Sequence, residues 1–490
     1  MRKESFYTKG IIKNKNADGV LVPFYPETKT ESIYDYEENR SFISILEELE
    51  NRTNDAANSG GIKAIDSTLN TDDEMFDAMT QKFSNETMML FYSDTNSTIF
   101  KFTVNTSNLS SSNTKSGIPF SIPTDFWYLV DWGDGTVDYI GKSDSSKMMH
   151  TYASTGTYTI QVYCPRWKKT QLLIWSNLHS IEQSYINRSN TSYVYYYTKT
   201  LSKILTPIPK VANGSFQQMF YATKVSSIPE NLFWNNTHIT SFYSCFENCT
   251  SLSSIPSRLF KGFTKATDFR SVFEGCSSIT SIPSGLFDDA KNATNFAHAF
   301  NSCTSLTTIP SGLFDNSPKV TSFSGTFFNC RLSSIPAGLF KNNTEVTSFQ
   351  GTFGYCRFSS IPEGLFDNCT KVQYFGSTIG YSWYYIGSTN YYFNGCFGNC
   401  TNLSSIPEHL FDKCTNIVHI NSCFSDCSYI YGFTIHITSP NIGTGEYNRV
   451  NNFIPKKSGY TRIVYVPAGS ATQAAFEEYA SSLGITVIGE

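Results

Sequence analysis

Seven times in this chain an Ile-Pro pair opens a segment of the same pattern, at Ile228, Ile255, Ile282, Ile309, Ile335, Ile361 and Ile406, in steps of 27, 27, 27, 26, 26 and 45 residues. Leu-Phe pairs follow four residues on, beginning at Leu232, Leu259, Leu286, Leu313, Leu339, Leu365 and Leu410. A cysteine column runs Cys249, Cys276, Cys303, Cys330, Cys356, Cys400 and Cys427, with a Phe three residues before each: Phe246, Phe273, Phe300, Phe327, Phe353, Phe397 and Phe424. A shorter first copy starts at Ile208-Pro209 and contains Phe220. A unit this short cannot enclose an apolar core alone. It must bury its Ile, Leu and Phe positions against the copies before and after it, which commits about 208–430 to a stacked array.

One copy reads IPSGLFDNSPKVTSFSGTFFNCRLSS, Ile309 to Ser334. This resembles a leucine-rich repeat, and more narrowly the BspA-like branch of bacterial leucine-rich repeats. The C-terminal RIVYVPAGSATQAAFEEYASSLGITVIGE, Arg462 to Glu490, resembles the cap that closes such arrays and reads as strand, helix, strand with Ser470 as N-cap. The resemblance implies that each column cysteine points inward as a small polar side chain bonding to the neighbouring coil's backbone. The cysteine total is 13, an odd number, and 12 fall between Cys245 and Cys427. Coils about 4.7–4.9 Å apart would put column cysteines within the roughly 4.4–6.8 Å Cα range of a disulfide, yet side-by-side packing makes buried free thiols the expected state. Cys245, Cys396 and Cys423 share a slot with Val272, Ala299, Thr326 and Thr352, which asks for small volume and no sulfur chemistry. No local CxxC cluster offers a zinc site.

Upstream lie YLVDWGDGTVDYIG, Tyr128 to Gly141, and HTYASTGTYTIQVYC, His150 to Cys164. Alternation and Asp-Gly turn chemistry predict strands. Trp132, Gly133, Asp134, Gly135, Thr136, Tyr152, Gly156, Thr157, Tyr158 and Val162 carry a resemblance to PKD-type β-sandwiches, which implies a spacer or presentation module. Asp131 and Asp134 read as turn formers, with calcium ligation as the alternative.

Residues 1–90 hold 10 Lys/Arg and 17 Asp/Glu; the remaining 400 hold 27 and 24. That shift marks a boundary near residue 90. Within the acidic part, Phe42, Ile45, Leu46 and Leu49 fall on one face of a short helix after an extended stretch with Pro23 and Pro26. This suits attachment or oligomerisation, a trimer among the options. VPFYPETKTESIYD resembles the N-terminal attachment segments of tailed-phage structural and fibre proteins. The opening residues lack a secretory apolar stretch, and no apolar run is long enough to span a bilayer. The expected organisation is mostly β: an attachment region over 1–87, a PKD-like β-sandwich over 88–165, a leucine-rich-repeat solenoid of 7–8 coils over 166–433, and a small α/β cap over 434–490.

Function should therefore lie in binding. The chain shows no HExxH, GxSxG, P-loop or GxGxxG pattern, so no enzyme activity, cofactor or metal is expected. A net charge of −4 excludes general nucleic-acid binding. Two groups are candidate ligand contacts. The 45-residue step inserts GSTIGYSWYYIGSTNYYF, carrying Tyr381, Trp383, Tyr384, Tyr385, Tyr391 and Tyr392, a Tyr/Trp/Ser/Gly composition suited to recognition and sugar stacking. The second group is variable and outward between the two Phe columns: Tyr243, Arg270, His298 and Gln350, with Ser324, Asn394 and Asn421. The expected partners are a virion or surface scaffold at the N-terminal region and a bacterial surface glycan or protein. The expected location is a virion assembled in the host cytoplasm, as a tail fibre or appendage. A bacterial-surface adhesin and a structural virion decoration are the alternatives.

Overall fold

The computed structural model describes residues 98–109, 114–117, 128–140, 149–163, 199–208, 214–376, 383–386, 389–392, 395–443 and 449–490, together with five short strands before residue 42. The chain divides into two compact units, Met1–Asn177 with Asn190–Ala212, and Leu178–Ser189 with Asn213–Glu490. The described residues are mostly strand and turn, with little helix. No helix among them is long and apolar enough to cross a membrane.

In the first unit, β1 (Ser5–Thr8), β2 (Ile11–Lys15) and β3 (Leu21–Pro23) form an antiparallel sheet, and β4 (Tyr34–Asp35) pairs with β5 (Arg40–Ser41). Phe42, Ile45, Leu46 and Leu49, predicted to form a helix face, lie outside the described residues. The same unit holds β6 (Thr98–Asn105), β7 (Lys115–Gly117), β8 (Tyr128–Asp131), β9 (Val137–Ile140), β10 (Met149–Thr151), β11 (Thr157–Tyr163) and β12 (Leu201–Ile204). Five of them make one antiparallel sheet, ordered β12-β6-β11-β8-β9, and β7 pairs with β10. Alternate residues Phe100, Phe102 and Val104 of β6 are buried, as are Ile160 and Val162 of β11.

The WGDGT segment is the β8–β9 turn. Asp131 Oδ1 accepts from Gly133 N at 2.8 Å and Asp134 Oδ1 from Thr136 N at 3.0 Å, so both carboxylates serve the turn. Gly133 has φ +81° and a Cβ there would lie 2.5 Å from the Thr159 carbonyl oxygen, which fixes glycine on two counts. Trp132 and Tyr152 are buried. His150 stacks on Trp132 at 5.0 Å and meets Asp134 through Nε2 at 2.8 Å.

One boundary moves. β12 pairs with β6, and Ser202 Oγ bonds to Thr103 O at 3.0 Å. Residues 201–204 therefore belong to this sheet and not to the repeat region expected from 166. The segment before Ile208 carries no repeat motif, and with Leu201 and Ile204 buried it serves as an edge strand.

In the second unit a ladder of single parallel bridges joins Ser215, Ser241, Asp268, Asn295, Ser322, Ser348, Tyr374 and His419, one residue per copy. The Phe before each column cysteine stacks on its counterparts above and below: Phe246–Phe273 at 5.5 Å, Phe273–Phe300 at 5.6 Å and Phe300–Phe327 at 5.7 Å, all within 17° of parallel. A second file follows the ladder residue (Phe242, Phe269, Phe296), and a third comes from the Leu-Phe pairs (Phe260, Phe287, Phe314). These two files meet edge-on or tilted, at 4.8 Å for Phe242–Phe260 and 4.7 Å for Phe287–Phe296. Such pairs add about 0.5–1.5 kcal/mol each beyond area burial.

The column cysteines do what a small inward polar side chain can do here. Sγ of Cys249, Cys276, Cys303, Cys330, Cys356, Cys400 and Cys427 each donates to the carbonyl of a Phe in the previous copy, at 2.9 to 3.3 Å. Cys369 and Cys414 stand in a further column with Ser317 and Asn343, which bond to the preceding copy in the same manner. All twelve described cysteines are free and buried.

The stack ends in a small α/β element. Strands β15 (Phe433–His436), β16 (Arg462–Val466) and β17 (Thr486–Gly489) form a parallel sheet, with α1 (Ala471–Leu483) between the last two. Ser470 Oγ accepts from Gln473 N at 3.1 Å, capping α1 as its sequence predicts, and Gly484 closes it in the left-handed conformation. Phe453 meets Phe424 of the last copy and Phe476 of α1, each edge-on at 5.5 Å, which continues the apolar core into the cap.

Burial pushes the Cys249 and Cys427 thiols up to about 12, leaving little nucleophilic thiolate at neutral pH. In the native protein a thiol reagent should label few cysteines, and in denaturant all 13. Several disulfides found by mass spectrometry under non-reducing conditions would refute this.

Candidate ligand face

The copies that meet the ladder at Ser241, Asp268, Asn295, Ser322 and Ser348 each cross it as an outward residue, a buried Phe, a second outward residue, then a residue with positive φ. The second outward file reads Tyr243, Arg270, Ala297, Ser324 and Gln350. Its register is set by backbone bonds: Ser244 N to Arg270 O, Ser271 N to Ala297 O, His298 N to Ser324 O and Gly325 N to Gln350 O. The positive-φ file reads Ser244, Ser271, His298, Gly325 and Gly351, with φ between 52° and 62°.

His298 therefore stands one position away from the outward file in which the sequence spacing placed it. Ala297 takes the outward place. His298 Nδ1 lies 3.1 Å from Asn301 Nδ2, and burial holds its imidazole down to about 4. Asn301 Nδ2 also reaches Glu274 Oε1 at 3.3 Å. Glu274 is 5% exposed with Oε2 unbonded; burial first, and then the charge of Glu247, pushes its carboxyl up to about 8. Sequence reading missed this inward polar file because its members occupy positions elsewhere filled by Phe328 or Gly354.

The outward residues come preorganised. Arg270 grips Asp268 of its own copy with Nε to Oδ1 at 3.0 Å and Nη2 to Oδ2 at 2.7 Å, while its guanidinium lies 4.9 Å over the Tyr243 ring. Ser322, Ser324 and Ser348 form a hydroxyl relay, with Ser324 Oγ to Ser348 Oγ at 2.7 Å. Tyr374 stacks on His419 at 5.5 Å. Gln350 is half-buried beside this relay, its backbone N–H donating to Ser348 Oγ. The file can supply hydrogen-bond donors, acceptors and aromatic faces.

The aromatic insertion opens on the same face. Phe375 and Gly376 occupy the buried and outward positions of their copy, both donating to His419 O, and the chain resumes at Gly395 and Cys396, with Cys396 N returning to Phe375 O at 2.7 Å. Residues 377–394 are thus spliced between the outward and the next position. A Cβ on Gly376 would lie 2.3 Å from Asn421 Oδ1, and one on Gly395 2.3 Å from Cys423 Cα, so both ends of the splice require glycine. Within it, β13 (Trp383–Ile386) and β14 (Thr389–Tyr392) pair antiparallel, with Trp383 opposite Tyr392 and Tyr384 opposite Tyr391. Tyr381 and Asn394 lie outside the described residues. The insertion therefore leaves and rejoins the array beside the file that carries Tyr243, Arg270 and Gln350.

No protein-family model and no curated protein matches the chain. Among solved structures, one similar chain comes from the Toll–Spatzle complex, described as a molecular hub in Drosophila development and innate immunity. It is 12% identical over 48% of this chain, with a TM-score of 0.13. The match spans 42% of that chain's length, and at this TM-score it carries no argument.

The inward file predicts a pH signature. Glu274 binds its proton more tightly folded than unfolded, so its contribution is present below the ordinary carboxylate range and lost as pH rises toward 8. His298 has the opposite sign, its contribution being lost as pH falls from about 6.5 toward 4. Glu274→Gln should therefore remove part of the stability loss between pH 6 and 9. A gain at pH 9 of about 1 kcal/mol would raise Tm by roughly 2–4 °C, read by thermal melts at both pH values. An unchanged pH profile would show that Glu274 titrates normally.

Proposed function

We propose that this chain is a non-enzymatic attachment protein. Its leucine-rich-repeat solenoid follows a PKD-like β-sandwich and binds a bacterial-surface glycan or protein through the ladder face and the aromatic insertion. The observation that carries this reading is the splice itself: a Tyr/Trp-rich hairpin enters between two adjacent positions of the ladder while the core on either side keeps its register. Insertions in repeat arrays map to loops, often on the binding face. The fixed Arg270–Tyr243 pair and the serine relay add polar contacts that lose little side-chain freedom on binding.

The carrier in this reading is a tailed-phage virion, joined through residues 1–87 as a homo-oligomer, on the strength of the resemblance in VPFYPETKTESIYD. The second reading is a BspA-like adhesin on a bacterial cell, favoured by the repeat motif and the cap sequence.

Replacing Trp383, Tyr384 and Tyr385 together with Ala should weaken attachment to target cells by about tenfold or more, since buried aromatic anchors typically carry ~2 kcal/mol or more each. The thermal melt should move little, because the array core closes beneath the insertion through Cys396 N to Phe375 O. A large stability loss with unchanged attachment per folded molecule would refute the assignment. Labelled antibody against the chain separates the carriers: decoration of virions supports the first, decoration of uninfected cells the second.

A further inference from the structure

At the far end of the array a cleft of about 680 Å³ opens between the last copies and the cap, within the range of small-ligand sites. Its origin is readable in one file of the repeat. The residue after each spine Phe is Glu247, Glu274, Asn301 and Phe328 in successive copies, then Gly354, Gly398 and Ser425. The ring of Phe328 covers Gly354, where a Cβ would lie 2.9 Å from its Cδ2. Beyond that point the file has no bulk, and α1 supplies the opposite wall with Glu478, Tyr479 and Ser482.

The lining has the character of a built site. Ser425 is 8% exposed, lines the cleft, and its buried Oγ has no hydrogen-bond partner, although its carbonyl is engaged by Asn399 N at 2.7 Å. An unbonded buried hydroxyl costs about 1–3 kcal/mol unless something satisfies it. Tyr355 stands at the cleft with φ +63°, in a file that earlier reads Ala222, Asn248, Gly275, Ser302 and Asn329. A bulky residue in that conformation is uncommon, and here it brings an aromatic ring to the wall. The floor includes the buried Ile454 and Leu483.

We propose that this cleft is a saccharide site, separate from the ladder face. The hydroxyl residues Ser422, Ser425 and Ser482 and the amide residues Asn399, Asn451 and Asn452 line it, groups that together donate and accept as a polyhydroxylated ring requires, with Ser482 Oγ left to accept because it donates to Tyr479 O at 2.8 Å. Tyr355, whose ring also meets Phe328 at 5.1 Å, and Tyr479 add aromatic side chains to the lining, and Ile454 and Leu483 apolar ones. Two carboxylates, Asp426 and Glu478, outnumber the single cation Lys456, so the site selects neutral or amino sugars over acidic ones.

The test uses the full chain and calorimetric titration with di- and trisaccharides built from glucose, galactose, rhamnose, glucosamine or N-acetylglucosamine, with sialyllactose as the acidic probe. Ser482 is exposed on α1, so Ser482→Trp fills the mouth without entering the core. At least one neutral or amino sugar should bind, and Ser482→Trp should weaken it by about tenfold or more, equal to ~1.4 kcal/mol. Asp426→Ala, also at an exposed position, provides a second reading if the tryptophan variant melts early. The triple alanine variant of the insertion should bind the sugar normally, which separates this site from the attachment reading. Absence of binding by every neutral and amino probe, preference for sialyllactose, or equal affinity in both cleft variants would overturn the proposal.

Discussion

Ring-on-ring stacking between copies is the constraint that the rest of the second unit obeys. Most copies contribute one ring to each of three Phe files, and the ladder and Leu-Phe files interlock at a tilt, 4.6 to 4.8 Å apart where Phe314 meets Phe323 and Phe340 meets Phe323. Because the rings lie beside the ladder, their spacing fixes how the backbones can meet. The bridges then form singly, one residue per copy, and not as long strands. The thiol donors fit the same frame. A cysteine is small enough to sit beneath the spine ring and polar enough to reach the carbonyl of the previous copy. It asks for little desolvation in return, since a thiol is a weak donor and acceptor.

Holding that register forces the backbone through two left-handed positions in most copies, four residues apart: Ser244 and Asn248, Ser271 and Gly275, His298 and Ser302. Non-glycine residues there are strained, yet the backbone keeps its partners at these positions. Ser244 N donates to Arg270 O, and Asn248 N to Glu274 O at 2.6 Å. Side chains from Gly275 and Ser244 to His298 and Tyr355 occupy these points. The splice of residues 377–394 is flanked by Gly376 and Gly395, where a Cβ would run into Asn421 and Cys423 of the following copy.

Much of this was legible in the sequence. The spine and thiol files, the splice point and the Ser470 cap all follow from spacing, because each depends on residues repeating at a fixed step or on a cap motif local to the chain. The misreadings have physical causes. His298 was placed outward because spacing counts residues and does not see which one turns through positive φ. β12 escaped notice because an edge strand pairing across about a hundred residues leaves no local signal. Cys369 and Cys414 stand outside the seven-cysteine column because their own file is shared with Ser317 and Asn343, which do the same work with different atoms.

The cleft was invisible for a deeper reason: it is made by missing side chains and closed by a helix more than fifty residues further along. A repeat can acquire a site by insertion, which leaves a mark in the step length, or by withdrawal, which does not. In the file after the spine Phe, early copies fill the space with Glu247, Glu274 and Asn301 and carry the cost of burying carboxylates, while the last copies leave it open and carry the cost of an unsatisfied hydroxyl at Ser425. Neither arrangement is what packing alone would select, since an apolar residue of Phe328's kind fits the same file. The two polar ends of that file therefore depart from the rule that governs the array, and such departures are where function tends to lie.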